Sequence, residues 1–247
     1  MRLGATLAHL APAPPFPIAP WARRLVAAGF ESLWTPEVIG RGSLVPDPLL
    51  TLAVAATATD GVELGTATVQ VPLHHPVDLA HRVLSLLTVC GDRLSLGVSP
   101  GSTGDDFAAL DRDQIGRFRA FGENVARLRG LLADGRDEAA VLAPAPHAAP
   151  PLLLGSWGAN VERAAREFDG WLAAASRRST DEIVAAHERY RAAGGRRAIV
   201  CAVPVSRSDL GPTRDVLQRF SEAGFDDAVM LFAPGGPDPE DVRALFP

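Results

Sequence analysis

The amino-acid sequence predicts an α/β fold, and the number of its units favours a single-domain (β/α)8, or TIM, barrel over residues 1–247. Short apolar runs alternate with longer segments of helical periodicity. Eight such pairs can be counted along the chain. A length of 247 residues is also typical of this barrel. A doubly wound open sheet remains the alternative, because counting units does not exclude it.

The predicted strands are short and almost continuously apolar, as is typical of parallel strands that helices cover. In chain order they are Leu3–Leu7, Ser32–Trp34, Val62–Val69, Leu94–Gly97, Leu152–Leu154, Trp171–Ala174, Ala198–Val203 and Asp227–Leu231. A predicted helix follows each strand. In the same order the helices are Ala19–Ala28, Asp47–Thr59, Pro76–Cys90, Gln114–Ala133, Ala159–Phe168, Thr180–Ala193, Leu210–Ala223 and Pro239–Leu245.

Several residues mark where these helices begin and end. Ser179 is followed by acidic residues in a first helical turn, and Gly194 and Gly195 follow the end of that helix. Pro48 and Pro76 each stand where proline is tolerated, in the first turn of a helix. The alanine- and proline-rich stretch Leu142–Pro151 is predicted to be a loop.

The composition excludes several classes of function. All 24 basic side chains are arginine, so chemistry through a lysine Schiff base and a Walker-type phosphate loop are excluded. Two cysteines, Cys90 and Cys201, are too few for a disulfide scaffold or a four-thiolate zinc site. A net charge of −5 argues against nucleic-acid binding.

The sequence gives no reason to expect a membrane protein. The longest uncharged apolar stretch, Leu49–Thr59, is shorter than the roughly 20 residues that span a bilayer. The first residues resemble a signal peptide weakly, but His9 and several prolines interrupt them and Arg2–Leu7 reads as a buried strand. We therefore expect a cytoplasmic protein.

In a barrel, catalytic residues lie at the carboxyl ends of the strands. The segment Gly97–Gly101 stands at such a position and matches the hydrolase pattern G-x-S-x-G. Pro100 follows the serine and lacks the backbone N–H that the oxyanion hole of these enzymes needs. We therefore interpret this segment as a glycine-rich turn through which a ligand can approach the backbone.

Other strand ends carry polar candidates. Gly155–Asn160 could bind an anion at a helix start or form a plain turn. Arg177, Arg178 and Arg207 could neutralise an anionic ligand or be solvated. The adjacent carboxylates Asp105 and Asp106 are predicted to cap a helix rather than to bind a cation.

A histidine cluster follows the third predicted strand. His74, His75 and His81 lack the spacing of a zinc-binding helix, so no metal site is predicted. We expect instead that His74 or His75 lines a pocket and handles a hydrogen bond or a proton.

Four ordered motifs over most of the chain resemble the luciferase-like monooxygenase superfamily, the flavin- and deazaflavin-dependent barrels related to bacterial luciferase. They are Ala28–Trp34, similar to "GF-x-S-x-W"; Leu64–Val69 with Pro72 and His75-Pro76, similar to "LGT…P…HP"; Gly91–Gly101, similar to "G-x-RL-x-LGVG-x-G"; and Ala164–Trp171, similar to "AAR-x-x-DGW".

The resemblance implies a (β/α)8 barrel with a flavin-type ring across its carboxyl-terminal mouth. It implies that residues 67–70 back the ring, often around a non-proline cis peptide, and that Gly101 and the turn at residues 155–158 lie near the cofactor, the turn holding its phosphate. The cofactor-binding residues expected from it are Ala67, Thr68, Val69, Gly101, Gly155, Ser156, Trp157 and Gly158.

The segment from Trp34 to Glu37, followed by Arg41, resembles the subgroup that uses the deazaflavin coenzyme F420. The chain departs from relatives in carrying Val38 in place of a pocket histidine and His74 in place of a common arginine, and in its shortened insertions. Glu37 and His74 are the best remaining catalytic candidates for handling protons.

The resemblance implies hydride transfer between F420 and a small organic substrate. The alternatives are an FMN-dependent monooxygenase that uses reduced flavin and O2, a flavin-binding barrel without turnover, and an unrelated barrel enzyme acting on a phosphorylated metabolite. Family members often form homodimers through helices near strands 2 and 3, and Leu49–Thr59 could serve in this way or pack on the barrel.

Overall fold

The computed structural model of the chain describes residues 1–142 and 148–246. Within these residues nine strand segments, all parallel, form a single sheet. They are β1 (Arg2–Thr6), β2 (Ser32–Thr35), β3 (Glu63–Thr66), β4 (Val69–Gln70), β5 (Leu94–Ser99), β6 (Leu152–Gly155), β7 (Gly170–Ala174), β8 (Arg197–Pro204) and β9 (Asp227–Leu231).

The sheet closes on itself. β3 pairs with β2 on one side and with β5 on the other, where Leu64 stands opposite Leu94. β3 and β4 are successive parts of one barrel strand, since both pair with β5. By position the barrel therefore has eight strands, which confirms the predicted TIM barrel and excludes the open sheet.

The predicted third strand is divided into two in the structure. The sequence predicts a continuous strand over Val62–Val69, whereas regular pairing stops after Thr66 and resumes at Val69. The peptide bond between Ala67 and Thr68 is cis, as the resemblance implies. Interrupted pairing at this point leaves the backbone of both residues at the mouth of the barrel.

Helices surround the barrel, and the described ones are α1 (Ile18–Ala27), α2 (Pro48–Ala58), α3 (Pro76–Cys90), α4 (Gly104–Ala108), α5 (Arg117–Asp134), α6 (Asn160–Glu167), α7 (Thr180–Ala192), α8 (Gly211–Glu222) and α9 (Pro239–Arg243). Most predicted helices agree with these to within a few residues. The exception is α4, for which the sequence analysis predicted no helix. Part of the predicted loop Leu142–Pro151, residues 143–147, lies outside the described residues.

The predicted helix caps are present where they can be tested. Ser179 and Glu182 form a reciprocal capping box at the start of α7. Asp47 accepts a hydrogen bond of 2.9 Å from the backbone N–H of Leu50 at the start of α2. No helix in the described part of the chain is long and apolar enough to cross a membrane.

The core has two layers. The larger lies between the helices and the outer face of the sheet. The smaller fills the barrel interior with Trp34, Leu153, Leu172, Ile199, Cys201 and Val229. A filled interior means that the barrel is a scaffold rather than a pore, and that a ligand must bind at one of its ends.

Charged residues close the amino-terminal end of the barrel. Arg197 on β8 donates hydrogen bonds of 2.8 and 2.9 Å to the two carboxylate oxygens of Glu63 on β3, and one of 2.9 Å to Asp227 on β9. Burial would raise the pKa of Glu63, but the hydrogen bonds and the charge of Arg197 hold it below its ordinary value. This end of the barrel therefore serves stability.

Candidate active site

A cavity of about 440 Å³ opens at the carboxyl ends of the strands. Such a volume lies within the usual range for small-molecule sites. Its deeper wall contains apolar side chains such as Leu172, Val229 and Leu231, and polar groups converge from the loops after β2, β5 and β7. An apolar wall with few polar groups is typical of a binding site for a small organic molecule.

The structure places most of the predicted site residues on this cavity. Those that line it are Glu37, Ala67, Thr68, Gly101, Gly155, Ser156 and Trp157. Three others do not. Val69 is buried in the core, His74 lies behind Glu37, and Gly158 stands in open space beyond the turn.

Glu37 follows β2 and is buried at the cavity wall. Its Oε2 accepts a hydrogen bond of 2.7 Å from the backbone N–H of Gln70. Its Oε1 lies 2.7 Å from Nε2 of His74. Because the chain between β3 and α3 brings Gln70 and then His74 past the end of β2, two residues that are distant from Glu37 in sequence hold its carboxylate.

Gln70 is a site residue that sequence reasoning missed. It lines the cavity, and its side-chain Nε2 donates a hydrogen bond of 2.7 Å to Asp106 and a longer one of 3.3 Å to the carbonyl oxygen of Glu37. Its Oε1 is buried and has no hydrogen-bond partner among the described residues. The side-chain amide therefore links the backbone of Glu37 to Asp106 in α4, while the backbone N–H of the same glutamine holds the Glu37 carboxylate.

Asp106 corrects a prediction. The sequence favoured a helix cap, but Asp106 lies inside α4, is fully buried and makes no capping contact. It accepts hydrogen bonds of 3.1 Å from the backbone of Ile39 and 2.8 Å from Nε of Arg41, and also pairs with Nη2 of Arg41. Burial alone would raise the pKa of Asp106, but these hydrogen bonds and the charge of Arg41 hold it below its ordinary value.

Glycines leave room on the cavity wall. A Cβ on Gly155 would stand 2.6 Å from Cγ2 of Thr68, and one on Gly101 would stand 2.7 Å from Oε1 of Gln70. Both distances are shorter than real Cβ contacts, so a larger residue at either position would force Thr68 or Gln70 to move. Gly158 differs, since a Cβ there would meet nothing within 4 Å and only its positive φ of 63° favours glycine.

Arginines ring the mouth of the cavity. Arg177 and Arg178, which follow β7, line it together with Arg117 at the start of α5. The guanidinium of Arg178 lies 4.8 Å from the centre of the Trp157 ring. Arg207, also considered from the sequence, is not among the lining residues. The mouth thus favours a ligand with an anionic end.

These residues fit a flavin-type cofactor. The glycines keep a flat surface beside Thr68, and the arginines can neutralise a phosphate. The buried hydroxyls of Thr6 and Thr35 and the Oε1 of Gln70 line the same cavity without hydrogen-bond partners among the described residues. A ring edged with carbonyl and N–H groups is the kind of ligand that would satisfy them.

Comparison with known proteins agrees with the family resemblance found from the sequence motifs. A family model for luciferase-like monooxygenases matches residues 6–219. The chain is 35% identical to 4-hydroxyprotoasukamycin monooxygenase of Streptomyces nodosus subsp. asukaensis over 105 residues, which are 42% of this chain and 28% of that protein. The match therefore spans less than a third of that relative's length.

Solved structures share the architecture. An F420-dependent secondary alcohol dehydrogenase in complex with an F420-acetone adduct has a TM-score of 0.81 at 15% identity, covering 99% of this chain and 98% of the other. The oxygenating constituent of 3,6-diketocamphane monooxygenase from Pseudomonas putida, in complex with FMN, has a TM-score of 0.67 at 16% identity, covering 88% and 72%. At these identities the likeness is evidence for the fold alone.

The family model covers most of the barrel, from the last residue of β1 to the last turn of α8. This extent excludes the unrelated phosphorylated-metabolite barrel considered from the sequence. The chain belongs to the luciferase-like monooxygenase family.

Proposed function

We propose that the protein is an F420-dependent oxidoreductase that transfers a hydride between the deazaflavin and a small organic substrate. The observation that carries this proposal is the Glu37 carboxylate, which is buried on the cavity wall between Gln70 and His74. A hydride that leaves a carbinol carbon must be accompanied by a proton that leaves its hydroxyl oxygen. A carboxylate at the wall supplies the acceptor for that proton.

The other residues of the cavity have distinct roles in this proposal. When bound, the deazaflavin supplies the carbon that takes or returns the hydride. Ala67 and Thr68 would back its ring, and Gly101 and Gly155 would let it lie close to the backbone. Arg177 and Arg178, with the turn that includes Ser156 and Trp157, would hold its anionic end.

The apolar wall has a role of its own. Leu172, Val229 and Leu231 would exclude water from the reacting atoms and strengthen the interaction of Glu37 with the substrate hydroxyl. The same wall favours an uncharged substrate, since a buried charge without a partner is costly.

An FMN-dependent monooxygenase is the second candidate. The sequence match to 4-hydroxyprotoasukamycin monooxygenase, at 35% identity over 105 residues, favours it. In addition, Val38 occupies the position at which the resemblance led us to expect a pocket histidine. A flavin-binding barrel without turnover is the third candidate, and it differs from the first two in reaction rather than in binding.

The first experiment is a fluorescence titration of the purified protein with oxidised F420 and, separately, with FMN. Tight binding of F420 with no binding of FMN supports the proposal, and the reverse supports the second candidate. Reduction of bound F420 is then followed with a panel of small secondary alcohols. The proposal is wrong if F420 does not bind, or if it binds and none of the panel reduces it.

Glu37→Gln is the matched variant for the assay. The amide keeps the size of the side chain but cannot take a proton, so we expect F420 affinity to change less than threefold and turnover to fall by about 100-fold or more. Equal turnover in the variant and the wild type would remove Glu37 from the mechanism.

A further inference from the structure

A second cavity lies on the other side of Glu37. It has a volume of about 350 Å³ and is lined by His74, His75, Arg112, Asp113 and Arg119, together with small and apolar residues and Asn124. Glu37 lines the first cavity and His74 lines the second, and the two side chains meet at 2.7 Å. The pair therefore forms the wall between the two cavities.

We propose that His74 passes protons between Glu37 and water in the second cavity, so that protons and substrate use separate openings. This inference rests on the proposed function, because it assigns an exit to the proton that Glu37 takes. His74 acts through Glu37 and is a positioning and relay residue rather than one that touches the substrate.

Glu37 needs such an exit. Its side chain is only 3% exposed, and a ligand in the first cavity would cover the side that faces the substrate. The carboxylate contacts two groups among the described residues, the backbone N–H of Gln70 and Nε2 of His74. A backbone amide does not accept a proton, whereas a neutral imidazole accepts one on one nitrogen and gives one up from the other.

The transfer balances in proton and charge. Glu37 takes the substrate proton and becomes a neutral carboxylic acid. That proton passes to Nε2 of His74, which leaves a carboxylate beside an imidazolium. The imidazolium gives the proton on Nδ1 to a water molecule in the second cavity, which leaves a carboxylate and a neutral imidazole with its proton on Nε2. A rotation of the ring that turns the unprotonated nitrogen back to Glu37 then restores the starting state. In the reverse reaction the same steps deliver a proton.

The walls of the second cavity suit this role. The His74 side chain is 12% exposed, so the ring is neither sealed nor freely solvated. Its position is held by the chain, since its backbone N–H donates to Val71 and its carbonyl accepts from Asn124. The groups that face it across the cavity are His75, Arg112, Asp113 and Arg119. These polar side chains make the second cavity a place where water can take the proton that the ring gives up.

Two variants separate relay from mere packing. His74→Ala opens a space into which free imidazole can enter from the second cavity. His74→Gln keeps a side-chain N–H that can donate to Glu37 but cannot carry a proton. The matched control is His75→Ala, which alters the same cavity and leaves the contact with Glu37 in place. Each variant is assayed for F420 affinity by fluorescence and for reduction of F420 by the alcohol that the wild type uses best.

We expect F420 affinity within threefold of the wild type in all three variants. Turnover should fall by about 100-fold in both His74 variants, and millimolar imidazole should restore most of it in His74→Ala but not in His74→Gln. Turnover of His75→Ala should stay within threefold. The inference is overturned if His74→Gln works as well as the wild type, or if imidazole restores nothing to a folded His74→Ala.

A measurement without turnover tests the separate exit. In protein labelled with ¹⁵N-histidine, the exchange of the His74 ring proton with water is measured by NMR before and after F420 binds, with the buried His187 as a reference. Exchange through the second cavity should be unchanged when F420 fills the first. A tenfold slowing would overturn the inference and leave the proposed function standing, whereas failure of F420 to bind would end both.

Discussion

Gly65 on β3 stands opposite Trp34 on β2, and a Cβ at position 65 would lie 2.2 Å from two carbons of the indole ring. The ring is fully buried inside the barrel, and its Nε1 donates a hydrogen bond of 2.8 Å to Ser32. Because Gly65 has no side chain, it leaves the space that the Trp34 ring fills. This contact joins two of the sequence motifs by which the chain resembles its family.

Gly65→Ala should lower the free energy of unfolding by about 3 kcal/mol, because the added methyl cannot avoid a ring that is packed on all sides. The matched control is Gly130→Ala in α5, where a Cβ meets nothing within 4 Å. That change should raise stability by about 0.5–1 kcal/mol, since alanine loses less backbone freedom in a helix. Both variants are unfolded in urea. If their unfolding free energies changed in the same direction, the close contact between position 65 and the Trp34 ring would be contradicted.

Asp106→Asn removes the charge that holds Arg41 and the amide of Gln70. We expect it to lower the free energy of unfolding by about 2 kcal/mol, less than for a fully buried pair because Arg41 is partly exposed. The neighbouring Asp105→Asn alters an exposed carboxylate of the same short helix and should change stability by less than about 0.5 kcal/mol. If the two variants lose similar amounts of unfolding free energy, the pairing of Asp106 with Arg41 is not what stabilises the fold, and the capping role predicted from the sequence is supported instead.

We expect the buried His187 to lower the free energy of unfolding as the pH falls below 6.5. Burial and then the charge of Arg191 lower its pKa from 6.5 to about 4, and its ring stacks on Phe225 at 4.2 Å. Above pH 6.5 both the folded and the unfolded chain hold it neutral. Between pH 6.5 and about 4 only the unfolded chain takes the proton, so stability drops by up to about 3 kcal/mol and then levels off.

His187→Gln checks this sign. Glutamine keeps an acceptor for Arg191 but does not titrate, so the loss of stability between pH 6.5 and 4.5 should be smaller than in the wild type. Carboxylates titrate equally in both proteins. The difference between the two urea midpoints at each pH therefore gives the contribution of His187 to the pH dependence of stability. Parallel curves across this range would show that His187 is protonated in the folded state.

Arg178→Ala tests the anionic end of the cavity. Its guanidinium lies over Trp157 at the mouth, so we expect the variant to bind F420 about tenfold more weakly than the wild type does. The deazaflavin riboside that lacks the phosphate of F420 is the matched ligand, and its affinity should change less than threefold. The comparison is made by fluorescence titration. Equal losses for both ligands would assign Arg178 to the ring rather than to the phosphate, and the control variant Arg207→Ala should affect neither.

Much of the fold could be predicted because each strand and helix carries its signal locally. The helix over Thr180–Ala192, for example, begins with a capping box that four adjacent residues specify. The interruption between Thr66 and Val69 could not be predicted from periodicity. Ala67 and Thr68 have the apolar and β-branched character of a strand, and only the closure of the barrel shows where pairing stops.

The polar part of the site was less accessible to sequence reasoning. Asp105 and Asp106 are identical in type and adjacent, yet only Asp106 is buried, because it meets Arg41, 65 residues earlier in the chain. Glu37 could be proposed from the strand end on which it stands. Its link to His74 spans 37 residues and depends on how the chain between β3 and α3 passes the end of β2.

The charge pairs at the amino-terminal end of the barrel bear on how the protein is made. Arg197 joins Glu63 across 134 residues and Asp227 across 30. Arg2 on β1 is made earlier and can already pair with Glu63, but the hydrogen bonds from Arg197 cannot form until more than half of the chain that follows β3 has left the ribosome. Contacts of such long range slow folding, and the unfinished barrel exposes two sheet edges to other chains. The last strands to emerge thus end the period in which the nascent chain is most prone to aggregate.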